Sequence, residues 1–158
     1  MTDSARWLVL TWRLPATSST PRVATWRSLQ RLGAVTLTPG AAIVPYSEHL
    51  LEQLEWVAED IVQHGGDAYV LPVTELPEAD EEDIRRRIRD EAASDYRRLR
   101  EAADRLARGP VERSQYEREL RVLRRSLART LERDHFASRG RSSAERAIKL
   151  AGQRMEKE

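Results

Sequence analysis

The chain has 158 residues, 34% of them charged, with 27 Lys or Arg against 26 Asp or Glu and a formal net charge of +1 at pH 7. That length holds one ordinary domain, or a small core with an extension, and excludes two large domains. With no cysteine there are no disulfides, thiolate metal sites or thiol nucleophiles; the acidic start Met1–Ser4 is unlike a secretory signal, and the apolar run Trp7–Trp12 is too short for a bilayer, so a cytoplasmic protein without a membrane partner is expected.

The run Trp7-Leu8-Val9-Leu10-Thr11-Trp12 is aromatic, β-branched and nearly apolar throughout, which predicts a central strand buried on both faces. Ala16 to Thr20 reads as a polar loop, with Thr20 as N-cap and Pro21 in the first turn of a helix. Val23, Trp26, Leu29 and Leu32 recur at three-residue steps as its apolar stripe, and Gly33 ends it. Ala34–Leu37 and Ala41–Val44 are short β-prone runs joined by Thr38-Pro39-Gly40, the chemistry of a hairpin turn. From Ser47 to His64 the spacing of Leu50, Leu54, Trp56, Val57, Ala58 and Ile61 is helical, with Ser47 as N-cap and Gly65-Gly66 as the stop. Asp67–Val73 predicts a fourth strand, with Tyr69, Leu71 and Val73 on one side and Ala68 and Val70 on the other; Pro72 assigns it to an edge or a bulge.

Strand, helix, strand, strand, helix, strand over residues 5–76 is the ferredoxin-like α+β order, a four-stranded antiparallel sheet with both helices on one face. Residues 77–158 predict a helical extension, with helices at about 80–107, 111–135 and 143–156. The acidic stretch Leu76–Asp83 leads into the first of these, and Ile88, Ala92, Tyr96, Leu99, Ala103 and Leu106 form a coiled-coil-like seam along it. Gly109-Pro110 breaks the helix, and Tyr116, Leu120, Leu123, Leu127 and Leu131 make a second seam, so an antiparallel hairpin is expected. The seams must bury against each other, the open sheet face or a second copy, which leaves intrachain packing and a homodimer both open. Ser142 or Ser143 is the expected cap of the last helix, which carries Ala147, Ile148 and Ala151.

No constellation in the sequence looks catalytic or metal-binding, and no cofactor is expected. His49, His64 and His135 fall on different elements without metal-ligand spacing, and no phosphate-binding glycine loop is present. The small CRISPR-associated nucleases of the ferredoxin-like fold hold a metal between aspartates at the tip of the first strand; that tip here reads Thr11-Trp12-Arg13, and the nearest acid in sequence, Asp3, precedes the strand. An arginine there suits an anion. Residues 1–75 hold five Arg against eight acids, so Arg13, Arg22, Arg27 and Arg31 form a candidate basic corner in an otherwise acidic segment, a candidate contact for nucleic-acid phosphate. Arg121, Arg124 and Arg125 form a secondary basic surface, alternatively explained by pairing with Glu117, Glu119 and Glu132. Trp7, Trp12, Trp26 and Trp56 are read as packing residues.

The string Trp7–Pro15 and the run Arg22-Val23-Ala24-Thr25-Trp26-Arg27-Ser28-Leu29-Gln30-Arg31-Leu32-Gly33-Ala34 resemble the N-terminal part of the ChrB family of chromate-resistance regulators. Val44-Pro45, Gly65-Gly66 and Glu132-Arg133-Asp134-His135-Phe136 fit the same pattern, although the family usually reads closer to Arg-Asp-Phe-Phe in the last. The resemblance implies a DNA-binding or regulatory role, a fold similar to the central domain of the phenylacetate repressor PaaX, and DNA or a separate sensor protein as partner. Gly40-Ala41-Ala42-Ile43-Val44 departs from the Gly-Val-Trp-like stretch of the family's third strand. The family's chromate sensing is associated with a further C-terminal domain, so it is not expected of these residues. A dimerising helical scaffold without nucleic-acid binding is the alternative, and a metal-dependent nuclease a third.

Overall fold

The computed structural model describes residues 5–16 and 19–157; Asp3, part of the predicted loop after the first strand, and the last residue lie outside the described residues. Four strands, β1 (Trp7–Arg13), β2 (Val35–Thr38), β3 (Ala41–Pro45) and β4 (Asp67–Val73), form one sheet in the order β2-β3-β1-β4. All pairings are antiparallel, and with α1 (Ser19–Arg31) after β1 and α2 (Glu48–Gln63) after β3 this is the ferredoxin-like arrangement. The chain continues into α3 (Glu78–Arg108), α4 (Arg113–Arg133) and α5 (Arg141–Lys157). It divides into two compact units within α3, between Arg85 and Arg86.

In the first unit the pleat sorts β1 into two sets. Leu8 and Leu10 face Ala42 and Val44 of β3 and join a core with Leu29, Leu32, Leu50, Leu54, Val57 and Ile61, so both helices cover this face. Each such side chain, fully buried, contributes about 1.5–3 kcal/mol as an upper estimate. Ser47 caps α2 by accepting the Leu50 N–H at 3.0 Å, a bond whose loss costs about 1 kcal/mol. On the other face Trp7 and Ile43 are also buried, while Tyr69 and Leu71 of β4 are exposed. Arg85 lies over the Trp7 ring at 5.3 Å and pairs with Glu81 at 2.8 Å, which Arg6 also meets at 2.6 Å. The Arg85 hydrogen bond is the chief reason the Glu81 carboxyl sits below its usual range; burial opposes it and the Arg6 charge assists.

Several expectations need correction. The first helix begins at Ser19, so Thr20 lies inside it rather than capping it. Its buried residues are Thr25 and Leu29, whereas Val23 and Trp26 are exposed. The reason is geometric: a three-residue step falls about 60° short of a full turn, so a stripe built only on such steps winds round the helix. Trp26 is 56% and Trp56 60% exposed, so neither is a core residue. Trp56 immediately precedes Val57, and the one-residue rotation of about 100° takes it off the buried face.

In the second unit the two predicted seams pack within the single chain, with Ala92, Tyr96, Leu99, Ala103 and Leu106 of α3 sharing a core with Tyr116 and Leu120 of α4 and Ala144, Ile148 and Ala151 of α5. Leu123, Leu127 and Leu131 pack against that core only partly buried. Tyr96 meets Asp134 and Asp95 meets Arg133, contacts that make α3 and α4 an antiparallel pair. The last helix starts at Arg141, so Ser142 and Ser143 lie in its first turn rather than ahead of it.

Candidate functional site

The end of β1 is gripped from both sides by glycine. Trp12 donates its N–H to the Gly40 carbonyl at 2.9 Å, and a Cβ on Gly40 would stand 2.6 Å from the Trp12 carbonyl oxygen. A Cβ on Gly66 would stand 2.3 Å from the Arg13 carbonyl oxygen. Only residues without a side chain allow the hairpin turn and the start of β4 to approach this closely. Between β1, α1 and the hairpin turn lies an open groove of about 570 Å³, whose lining includes Trp12, Arg13, Arg22, Trp26 and Gly40.

Arg13 and Arg22 therefore come together. Arg27 and Arg31 are exposed one turn apart on α1 but do not line the groove. Arg13 has a partner the sequence reading did not anticipate: Asp67 opposes it in register on β4, with Nη2 and Oδ2 2.8 Å apart. Both side chains are open to water, 82% and 61% exposed, so the pair contributes at most about 1 kcal/mol and leaves Arg13 able to exchange its partner. Trp26 is the other residue missed. Its signal was present in the sequence, because Thr25, Leu29 and Leu32 step by four and three and place Trp26 off the buried face.

The secondary surface, Arg121, Arg124 and Arg125, is exposed on α4. Of the acids expected to neutralise it, Glu117 pairs with Arg113 at 3.3 Å instead, and Glu119 accepts from Gln115 at 2.8 Å. Arg124 lies over Gly152 of α5, where a Cβ would stand 2.6 Å from its Nη2. Among the described residues no group of three or more His, Cys, Asp or Glu could hold a metal ion, and no helix is long and apolar enough to cross a membrane.

A second polar cluster closes the turn after α4. Asp134 accepts the Tyr96 hydroxyl at 2.8 Å, the Ser138 hydroxyl at 2.6 Å and the Ser138 N–H at 2.7 Å. Burial alone would raise the Asp134 carboxyl, but the Ser138 bonds, then that of Tyr96, outweigh it and hold the group below its usual range. The Tyr96 phenol is pushed well above its usual value, first by burial and then by donating to Asp134. Next to it Asp95 binds both Arg98 and Arg133, and Arg133 also donates to Thr130 at 3.3 Å. Ala137 bridges this turn with a left-handed φ of 48°, a conformation the Asp134 bonds on either side help to hold.

The fold and these sites define an α+β chain in which a ferredoxin-like unit runs, through one long helix, into a three-helix unit. It belongs to the ChrB N-terminal family: the family described as Protein ChrB, N-terminal, matches residues 22–157. The chain is also similar to Protein ChrB of Cupriavidus metallidurans (strain ATCC 43123 / DSM 2839 / NBRC 102507 / CH34), at 33% identity over 79 residues, 50% of this chain and 24% of that protein. The similarity thus spans about a quarter of that relative's length. No solved structure matches.

Proposed function

We propose that this chain supplies the DNA-contacting part of a cytoplasmic, non-catalytic ChrB-type regulator, with Arg13, Arg22, Arg27 and Arg31 meeting the phosphate backbone. The observation that carries the reading is Trp26: a tryptophan 56% exposed in the same groove as two arginines. An aromatic face so placed costs hydration unless a partner covers it, and a sugar or base beside a phosphate covers both it and the guanidinium groups. Arginine suits that contact because its planar fork matches phosphate oxygens two at a time. Arg27 and Arg31, on the same helix as Arg22 and Trp26, extend the cationic track beyond the groove.

The test is a mobility-shift titration against the DNA upstream of the gene at several salt concentrations. Binding should weaken steeply with salt, with a logarithmic slope of about −0.9 for each phosphate neutralised. Arg22→Ala and the pair Arg27→Ala with Arg31→Ala should each weaken binding and flatten that slope. Trp26→Ala should weaken binding without altering the melting temperature, since an exposed side chain contributes about 0.5 kcal/mol or less to stability. The absence of a complex at low salt, or affinities untouched by these changes, refutes the proposal.

A further inference from the structure

A second groove lies wholly within the helical unit. It has a volume of about 870 Å³, and Arg89, Arg97, Arg100 and Arg139 all line it. Charged residues on helices usually find a partner one turn away, and many arginines here do: Arg85 with Glu81, Arg98 with Asp95, Arg113 with Glu117, Arg141 with Glu145. Arg97 and Arg100 have Glu101 and Asp104 four residues on, yet form no ion pair among the described residues, and neither does Arg139. The Arg89 guanidinium lies over the Phe136 ring at 5.4 Å, a contact made through its face that leaves its N–H edges as donors. One acid, Asp90, shares the lining.

The spacing sets the shape of what could bind. Arg89, Arg97 and Arg100 fall within a sector of about 80° on α3, and the first and last are about 16 Å apart along its axis. Between them the lining includes the small residues Ala93, Ser94 and Gly140, and a volume of about 870 Å³ spread over that length is a trough far slimmer than a double helix. A single tetrahedral anion could not engage groups so far apart. A duplex is too broad for a trough. Single-stranded nucleic acid would want an exposed aromatic platform, and the tyrosine in the lining, Tyr96, is buried with its hydroxyl committed to Asp134.

We infer that this trough binds a linear chain of phosphate groups, of the class of inorganic polyphosphate or the phosphate chain of a nucleotide, through Arg89, Arg97, Arg100 and Arg139. It does not depend on the groove at the end of β1. Isothermal titration of the full chain at low salt with inorganic tripolyphosphate tests it, with orthophosphate and ATP as parallel ligands. Tripolyphosphate should bind saturably and about tenfold or more tighter than orthophosphate, because several guanidinium groups act on one ligand. Changing Arg97 and Arg100 together to Ala should weaken tripolyphosphate about tenfold. Changing Arg124 and Arg125 to Ala removes the same charge outside the trough and should weaken it roughly threefold or less, the share owed to the general field. ATP binding as tightly as tripolyphosphate, with the same dependence on Arg97 and Arg100, identifies a nucleotide as the source; much weaker ATP binding identifies free polyphosphate. No saturable heat with tripolyphosphate, equal affinity for orthophosphate, or equal losses in the two double variants overturns the inference.

Discussion

Asp134 offers the sharpest test of how the helical unit is held. Replacing it by Ala removes the acceptor of two side-chain hydroxyls and the Ser138 N–H, all at 2.6–2.8 Å. Hydrogen bonds to a charged acceptor contribute about 1.5–3 kcal/mol each when buried, and Asp134 itself is half-buried, so water recovers part of that. Tyr96 is fully buried, so its hydroxyl has no such recourse. The expected cost of Asp134→Ala is about 3 kcal/mol, and that of Tyr96→Phe about 1.5 kcal/mol, because the latter leaves only one lone pair of the carboxylate unmet. The two should be coupled by about 1 kcal/mol, since the double variant leaves no buried hydroxyl without its partner. Urea unfolding followed by circular dichroism, with the slope checked for constancy, gives all three numbers. A cost for Asp134→Ala below about 0.5 kcal/mol, or a double variant whose cost is the plain sum, refutes the reasoning.

Two further outcomes follow from the same geometry. Gly40→Ala puts a methyl against the Trp12 carbonyl and should destabilise the first unit by about 1–3 kcal/mol, visible as a lowered thermal midpoint; an unchanged midpoint would mean that the hairpin can shift aside. The pH profile should fall at both ends. Asp134 and Glu81 are depressed in the folded chain, so the stability they contribute is in place above the ordinary carboxylate range and is lost as pH drops below about 4. Tyr96 is raised, so above about pH 10 the unfolded chain ionises its phenol while the folded chain does not, and stability declines there as well. Urea midpoints measured across pH check both limbs, and Asp134→Ala should flatten the acid one; an acid limb unchanged by that substitution would count against the assignment.

The architecture was largely legible because it rests on patterns local in sequence. Alternation marked β4, which Pro72 assigned to an edge or a bulge and which lies at an edge, and four-and-three spacing marked the seam of α3 from Ile88 to Leu106, all buried. Where a pattern is ambiguous it misleads: the three-residue steps in α1 do not mark its buried face, which begins with a threonine, Thr25, that hydropathy does not favour. The candidate site was less legible. Arg13 and Arg22 could be placed at neighbouring element ends from the fold order alone. The Arg13–Asp67 pair spans 54 residues and depends on the exact register of β1 with β4, which no local signal encodes. The trough in the helical unit was invisible for the same reason, since Arg139 reaches it only through the turn that Asp134 ties down.

The two rims of the sheet bear on how this chain can associate. One rim strand, β4, carries a proline that withholds a donor, and the other, β2, is four residues long with a break in its register between Thr36 and Thr38. Neither offers the straight, unbroken ladder that an incoming strand requires. Recruitment of another polypeptide by sheet extension is thereby discouraged at both rims.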